Sequence, residues 1–248
     1  GPLFSTDCLK LTGLLYPAQI EEFPSAVQIE IGTGSIWVQG CVGSILNVAY
    51  ILAPARCFTG RLYETSNRRI RAGATERGRD GIVYGVSYAI NHPTFGDNHY
   101  DGDIAVVRIL GYFTYGPTIQ RVGITSPGVY FPPGVRVMNA GWGTSSQGSL
   151  ISNRGLHKAD MVVVDNWECA AMYANSTIPI NVSHNMVCVG REQTRGRSAG
   201  LRDIGAPLYY DGILMGMQSF GRYVSNGNFP IVATSISSYT TWIAQTAN

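Results

Sequence analysis

Apolar and polar residues alternate along Ala26-Val-Gln-Ile-Glu-Ile31 and Val135-Arg-Val-Met138, the period-two signature of a strand with one buried face. Asp160-Met-Val-Val-Val164 and Gly212-Ile-Leu-Met-Gly216 are short apolar runs that also predict strands. Turns rich in glycine and proline separate these stretches every eight to fifteen residues or so, which favours an antiparallel sandwich or barrel over alternating βα units. No helical period is sustained before Ser237-Ser-Tyr-Thr-Thr-Trp-Ile-Ala-Gln245. There the serines are placed to cap a short helix, with Trp242 and Ile243 free to pack.

Composition narrows this picture. Thirty glycines among 248 residues suit a turn-rich chain, and charged residues make up only 14%, which argues against long disordered tails. A formal charge of +2 is too small an excess to imply a nucleic-acid or membrane-surface partner. Only Lys10 and Lys158 are lysines, so 16 of the 18 cations are arginines, a bias expected either of a strongly alkaline working fluid or of lineage and codon usage.

Cys8, Cys41, Cys57, Cys169 and Cys188 include no CxxC pair, and His92, His99, His157 and His184 show no ligand spacing, so neither a metal nor another cofactor is expected. Four cysteines allow two bridges. Asn175-Ser-Thr177 and Asn181-Val-Ser183 are glycosylation acceptors, and together these features predict a secreted, extracellular protein. Cys8 is then the odd thiol, either a tether to a second chain, free, or half of an alternative bridge.

Four blocks in order carry a resemblance. Cys41-Val-Gly-Ser-Ile-Leu-Asn-Val-Ala-Tyr-Ile-Leu-Ala-Pro-Ala-Arg-Cys57, Asp101-Gly-Asp-Ile-Ala-Val-Val-Arg108, Gly141-Trp-Gly143 and Arg202-Asp-Ile-Gly-Ala-Pro-Leu208 together resemble the chymotrypsin/trypsin family over residues 16 to 248. Arg69-Ile-Arg-Ala-Gly73 and Ser238-Tyr-Thr-Thr-Trp-Ile243 are similar to insect digestive trypsins of the lepidopteran type. The resemblance implies an all-β fold of two antiparallel six-stranded barrels with a short C-terminal helix. It divides the chain into an N-terminal extension over 1–15, a first barrel over 16–114, a second over 115–232 and a helix and tail over 233–248, with the cleft against residues 105–125. It also implies bridges Cys41–Cys57 and Cys169–Cys188.

Against the same family several positions differ. The histidine position holds Arg56 and the serine position Ile204, while the aspartate remains as Asp103; a guanidinium has no lone pair to accept a proton and isoleucine has no nucleophile. The oxyanion turn carries Arg202, the specificity position carries Ser198, and Ile231 replaces a pocket-lining glycine that it is expected to block. The family's third bridge has no cysteines here, and Thr12-Gly-Leu-Leu15 stands where the family has its activation terminus, so Asp203 needs another partner, an arginine or backbone N–H groups.

The resulting expectation is a chain that is not an enzyme, with Arg56 and Asp103 forming a partly buried ion pair. It would bind or regulate a protein partner, with Cys8 as a potential tether. The alternative is a structural or storage protein without a specific site. An enzyme reading would need a different constellation, for example one using Asp103 and Asp211. Arg191, Arg195, Arg197 and Arg202 form either a cationic rim for an anionic ligand or solvated loop charge interleaved with Glu192 and Asp203.

Overall fold

In a computed structural model of the chain, residues 15–97, 99–143, 154–190, 203–221 and 229–248 are described. A two-residue strand, β1 (Tyr16–Pro17), precedes the first barrel. That barrel comprises β2 (Ala26–Thr33), β3 (Ile36–Ile45), β4 (Tyr50–Ala53), β5 (Arg68–Ala72), β6 (Ile82–Asn91) and β7 (Ala105–Ile109), closed in the order β2-β3-β4-β7-β6-β5. The alternation read at Ala26–Ile31 lies in β2. In β5 the same alternation puts Ile70 and Ala72 into the core with Val27, Ile29, Ile45, Ile51 and Val107.

The second barrel comprises β8 (Arg136–Gly141), β9 (His157–Val164), β10 (Met186–Gly190), β11 (Pro207–Tyr210), β12 (Ile213–Gly221) and β13 (Ile231–Ser235). Antiparallel pairing runs β9-β10-β13-β12-β11-β8, and a β8–β9 ladder closes the ring. Val137, Met161, Val163, Val189, Leu208 and Met215 fill its interior.

Two expectations need correction here. The span 16–114 is not all first barrel, because Tyr16 pairs with Lys158 and Pro17 with His157, attaching β1 to β9 of the second. The backbone N–H of Ala18 reaches the carbonyl of Leu156 at 2.9 Å, so this entry segment finds its hydrogen bonds there. The second correction is an unforeseen helix, α1 (Asn166–Ala174), whose N-cap Asp165 accepts from the Glu168 N–H. These nine residues carry apolar side chains on both sides, Cys169 and Tyr173 inward and Trp167, Ala171 and Ala174 outward, so no one-sided helical period marks them in the sequence.

The C-terminal helix α2 (Thr240–Thr246) is present, but its serine caps are not. Its N-cap is Tyr239 without a side-chain cap bond, while the Ser237 hydroxyl donates to the Val129 carbonyl at 2.8 Å. A short 3₁₀ turn, Ile236–Ser238, precedes it and takes up the serines.

The barrels meet through a large apolar cluster, and Ala26 and Val42 of the first also pack with Trp142 and Leu156 beside the second. Tyr50, Leu52, Ile104 and Val106 from the first pack against Ala140, Tyr209, Leu214 and Met217 from the second, joined by Val122 of the linker and by Ile236, Tyr239 and Ile243. The segment 105–125 thus borders the interface, although Ala105–Ile109 is itself a buried strand of the first barrel.

Candidate functional site

Where the barrels face one another, three elements converge on Asp103, which is fully buried. Its own backbone is fixed by the second barrel: the Thr234 hydroxyl donates to the Asp103 carbonyl at 3.1 Å, and the Gly102 N–H donates to the Tyr239 hydroxyl at 3.0 Å. Arg56 arrives on a 3₁₀ turn, Ala55–Phe58, which follows β4 and is pinned to β3 by the disulfide Cys41–Cys57. Ser219 lies in β12 at a register shift against β13, and such a bulge re-aims the side chain it carries.

The three side chains close on one another. The Arg56 N–H donates to Asp103 Oδ1 at 3.1 Å and Nε to Oδ2 at 2.9 Å, while Nη2 lies 2.8 Å from Oδ2 and donates to Ser219 Oγ at 2.8 Å. Ser219 in turn donates its hydroxyl proton to Asp103 Oδ2 at 2.6 Å. Three hydrogen bonds and the guanidinium charge therefore satisfy a carboxylate that has no access to water, which compensates the cost of burying it. The guanidinium lies 4.3 Å above the Tyr100 ring, and Tyr100 stacks on Phe220. The Arg56 side chain remains 21% exposed, so its outer edge faces the solvent.

Ile204 is half-buried and packs on the first-barrel core; its carbonyl accepts from the Val42 N–H at 2.8 Å. The next residue, Gly205, has φ +90, and a Cβ there would sit 1.9 Å from the Val42 carbonyl oxygen, so only glycine fits this contact between barrels. Asp203 also has its partners. Its Oδ2 accepts from the N–H groups of Trp142 and Gly143, and Arg77 Nη2 stands 3.9 Å from Oδ1. Burial pushes this carboxyl up from 3.8 to about 6, with the Arg77 charge and the two N–H groups pulling the other way.

The segments 191–202 and 222–228 that the resemblance sets around Ile231 lie outside the described residues; Ile231 itself is described. It is fully buried in the interior of the second barrel beside Val189, Leu208 and Met215, because the strand alternation of β13 turns it inward. A second bridge joins Cys169 of α1 to Cys188 of β10. Asn175 and Asn181 are both exposed. Cys8, Arg191, Arg195, Arg197, Ser198 and Arg202 lie outside the described residues. Among the described residues no group of three or more His, Cys, Asp or Glu side chains is placed to hold a metal ion, and no helix is long and apolar enough to cross a membrane. Asp211 occupies an exposed turn at φ 48.

The model of the trypsin family matches residues 15–243. The chain belongs to the trypsin family. Among its curated relatives, "Trypsin, alkaline C" of Manduca sexta is 30% identical over 227 residues, covering 91% of this chain and 86% of that protein. "Trypsin CFT-1" of Choristoneura fumiferana is 28% identical, covering 92% and 88%. A crystal structure titled as a scabies mite inactivated protease paralogue, S-D1, superposes with a TM-score of 0.80 at 22% identity, covering 92% of this chain and 94% of that one, a likeness of fold. The expectation that this chain stands outside the enzymes is overturned by these matches. It carries the trypsin model over nearly its whole length, and its relatives are named as trypsins.

Tyr100, Ser219 and Arg77 complete the two carboxylate sites. Ser219 sits within the largely buried strand β12, where nothing in the sequence marks its hydroxyl as a partner of Asp103; Tyr100 and Arg77 lie 44 and 126 residues from the side chains they serve, and no periodicity links such pairs.

Proposed function

We propose that this trypsin-family chain binds and regulates a protein partner through the face on which Arg56 stands, in an oxidising extracellular setting with Cys8 available as a covalent tether. The observation supporting this reading is the closed Arg56–Asp103–Ser219 constellation stacked on Tyr100. An arginine held on both its inner edge and its flat face loses little rotamer freedom when a partner docks, which is the condition under which arginines become dominant contacts at interfaces. The inner nitrogens are committed to Asp103 and Ser219. The outer edge presents donors in a plane, suited to a carbonyl or carboxylate oxygen of the partner. Two disulfides are in keeping with an extracellular location.

Native protein run reduced and non-reduced, with mass spectrometry of each band, identifies any chain linked through Cys8; a monomer of unchanged mass in both lanes removes the tether. A partner identified by this route, or by cross-linking in the native fluid, is then titrated against the wild-type chain and Arg56→Met. The expected result is saturable binding that weakens by about tenfold or more in the variant. Equal affinity of the two proteins would refute the role of Arg56. Peptide-ester hydrolysis that tracks the chain through successive purification steps, without saturable partner binding, would place its function in turnover.

A further inference from the structure

One face of α1 is apolar and turned to the solvent. Cys169 and Tyr173 are buried on the inner side, whereas Trp167, Ala171 and Ala174 are exposed on the other, with Ala170 half-buried at the boundary between them; the four follow the i, i+3, i+4, i+7 spacing. Trp167 is 83% exposed, an unusual position for the largest apolar side chain. With Ile180 and Asn181 these residues line a depression of about 240 Å³. Asn181 is the acceptor position of Asn181-Val-Ser183, so the one residue of the rim that can carry a glycan opens into the apolar groove. Val182 is buried against Tyr173 and Cys188, which anchors the segment and turns the flanking Asn181 outward.

We propose that Asn181 is N-glycosylated and that the first sugar rings of its glycan lie over Trp167 in this groove. The covalent step joins the Asn181 carboxamide nitrogen to C1 of a lipid-diphosphate oligosaccharide; the C1–O bond to the diphosphate breaks, the lipid diphosphate leaves with that electron pair, and the amide nitrogen gives up one proton. The C–H-bearing face of a pyranose ring is apolar and complements the negative face of an indole. Because the sugar is tethered at the rim, its effective concentration over Trp167 is high, and a weak contact suffices to hold it. Asn175, the other acceptor, donates its amide N–H to the Ala171 carbonyl at 2.9 Å at the end of α1 and does not line the groove. This inference is independent of the role assigned to Arg56.

The test is secretion of the full chain from a eukaryotic host, peptide mapping for carbohydrate at Asn181, and iodide quenching of tryptophan emission before and after enzymatic release of the glycan from the folded protein. Trp167→Phe, prepared in parallel, isolates the Trp167 signal from Trp37, Trp142 and Trp242. Release of the glycan is expected to shift the Trp167 emission to the red and to raise its quenchable fraction, with no such change in Trp167→Phe. Asn181→Gln should match the released protein, and Asn175→Gln should match the intact one. Substitution of Asn181 is preferred to Ser183→Ala because the Ser183 hydroxyl holds Asp101 at 2.8 Å. Absence of carbohydrate at Asn181 overturns the proposal, as does carbohydrate whose removal leaves the Trp167 signal unchanged. Protection of Trp167 that varies with protein concentration and persists after release would assign the groove to a second copy, and would equally overturn it.

Discussion

Asp203 offers the sharpest quantitative test of the burial argument. Its carboxyl titrates near 3.8 when solvated and at about 6 in the fold, where burial opposes ionisation more strongly than Arg77, Trp142 and Gly143 favour it. The shift of about 2 units corresponds to about 3 kcal/mol. The sign follows from proton binding: between these two pH values the native state holds a proton that the unfolded chain has lost, so stability falls as pH rises through that window. The favourable contribution is complete below about pH 4, is lost as pH approaches and passes about 6, and is absent above it. Asp203→Asn removes the titration while leaving an amide oxygen able to accept from the same two N–H groups. Urea denaturation midpoints of the wild type and this variant, measured at steps between about pH 4 and about pH 7.5, give a stability difference whose constant part reflects repacking and whose pH-dependent part reflects ionisation alone. The variant should gain on the wild type by about 3 kcal/mol across the series. A difference that stays flat with pH would refute the reasoning, showing that Arg77 and the backbone donors fully offset desolvation.

Three further outcomes are expected. Arg56→Met leaves the Asp103 carboxylate buried with Ser219 and one backbone N–H as its donors, and should cost about 3 kcal/mol in denaturant unfolding; combining it with Asp103→Asn should recover part of that loss in a double-mutant cycle. Gly205→Ala forces a side chain against the Val42 carbonyl at positive φ, and a loss of about 3 kcal/mol should appear as a lowered thermal midpoint; an unchanged midpoint would show that β3 can move aside. Replacing Cys169 and Cys188 together by alanine opens a bridge between residues 19 apart and should cost about 3 kcal/mol, measured by urea unfolding in the absence of reductant.

Some barrel strands were legible as two-residue alternations, at Ala26–Ile31 and Val135–Met138, and others as short apolar runs, at Asp160–Val164 and Gly212–Gly216, and the order of four motifs placed Arg56 beside Asp103 although 47 residues separate them. The arginine bias was harder to interpret from sequence. Arg69 and Arg71 both clasp the buried Glu30, at 2.5 and 2.7 Å, Arg68 donates to the Cys57 and Asn67 carbonyls, and Arg108 donates to those of Ile109 and Gly111. A forked planar donor satisfies two acceptors at fixed angles where an ammonium does not, so geometry is a third reason for arginine at these sites. What remained hidden was set by tertiary contact. The inward turn of Ile231 depends on which face of β13 meets the core, and α1 is stabilised by its cap and its disulfide more than by amphipathic pattern.

The first and last described segments each fasten to the barrel that is remote in sequence. Tyr16 and Pro17 are stitched to β9, while the C-terminal helix leans the other way: the Tyr50 hydroxyl donates to the Asn248 carbonyl at 3.1 Å, the Asn47 amide to that of Ala247 at 3.4 Å, and the Trp242 ring meets His92 at 4.9 Å. Like crossed straps on a two-part case, they make neither half a parcel by itself. Fragments cut in the linker would each carry off the strap that fastens the other's barrel, so the halves should complement one another in a mixture rather than fold in isolation.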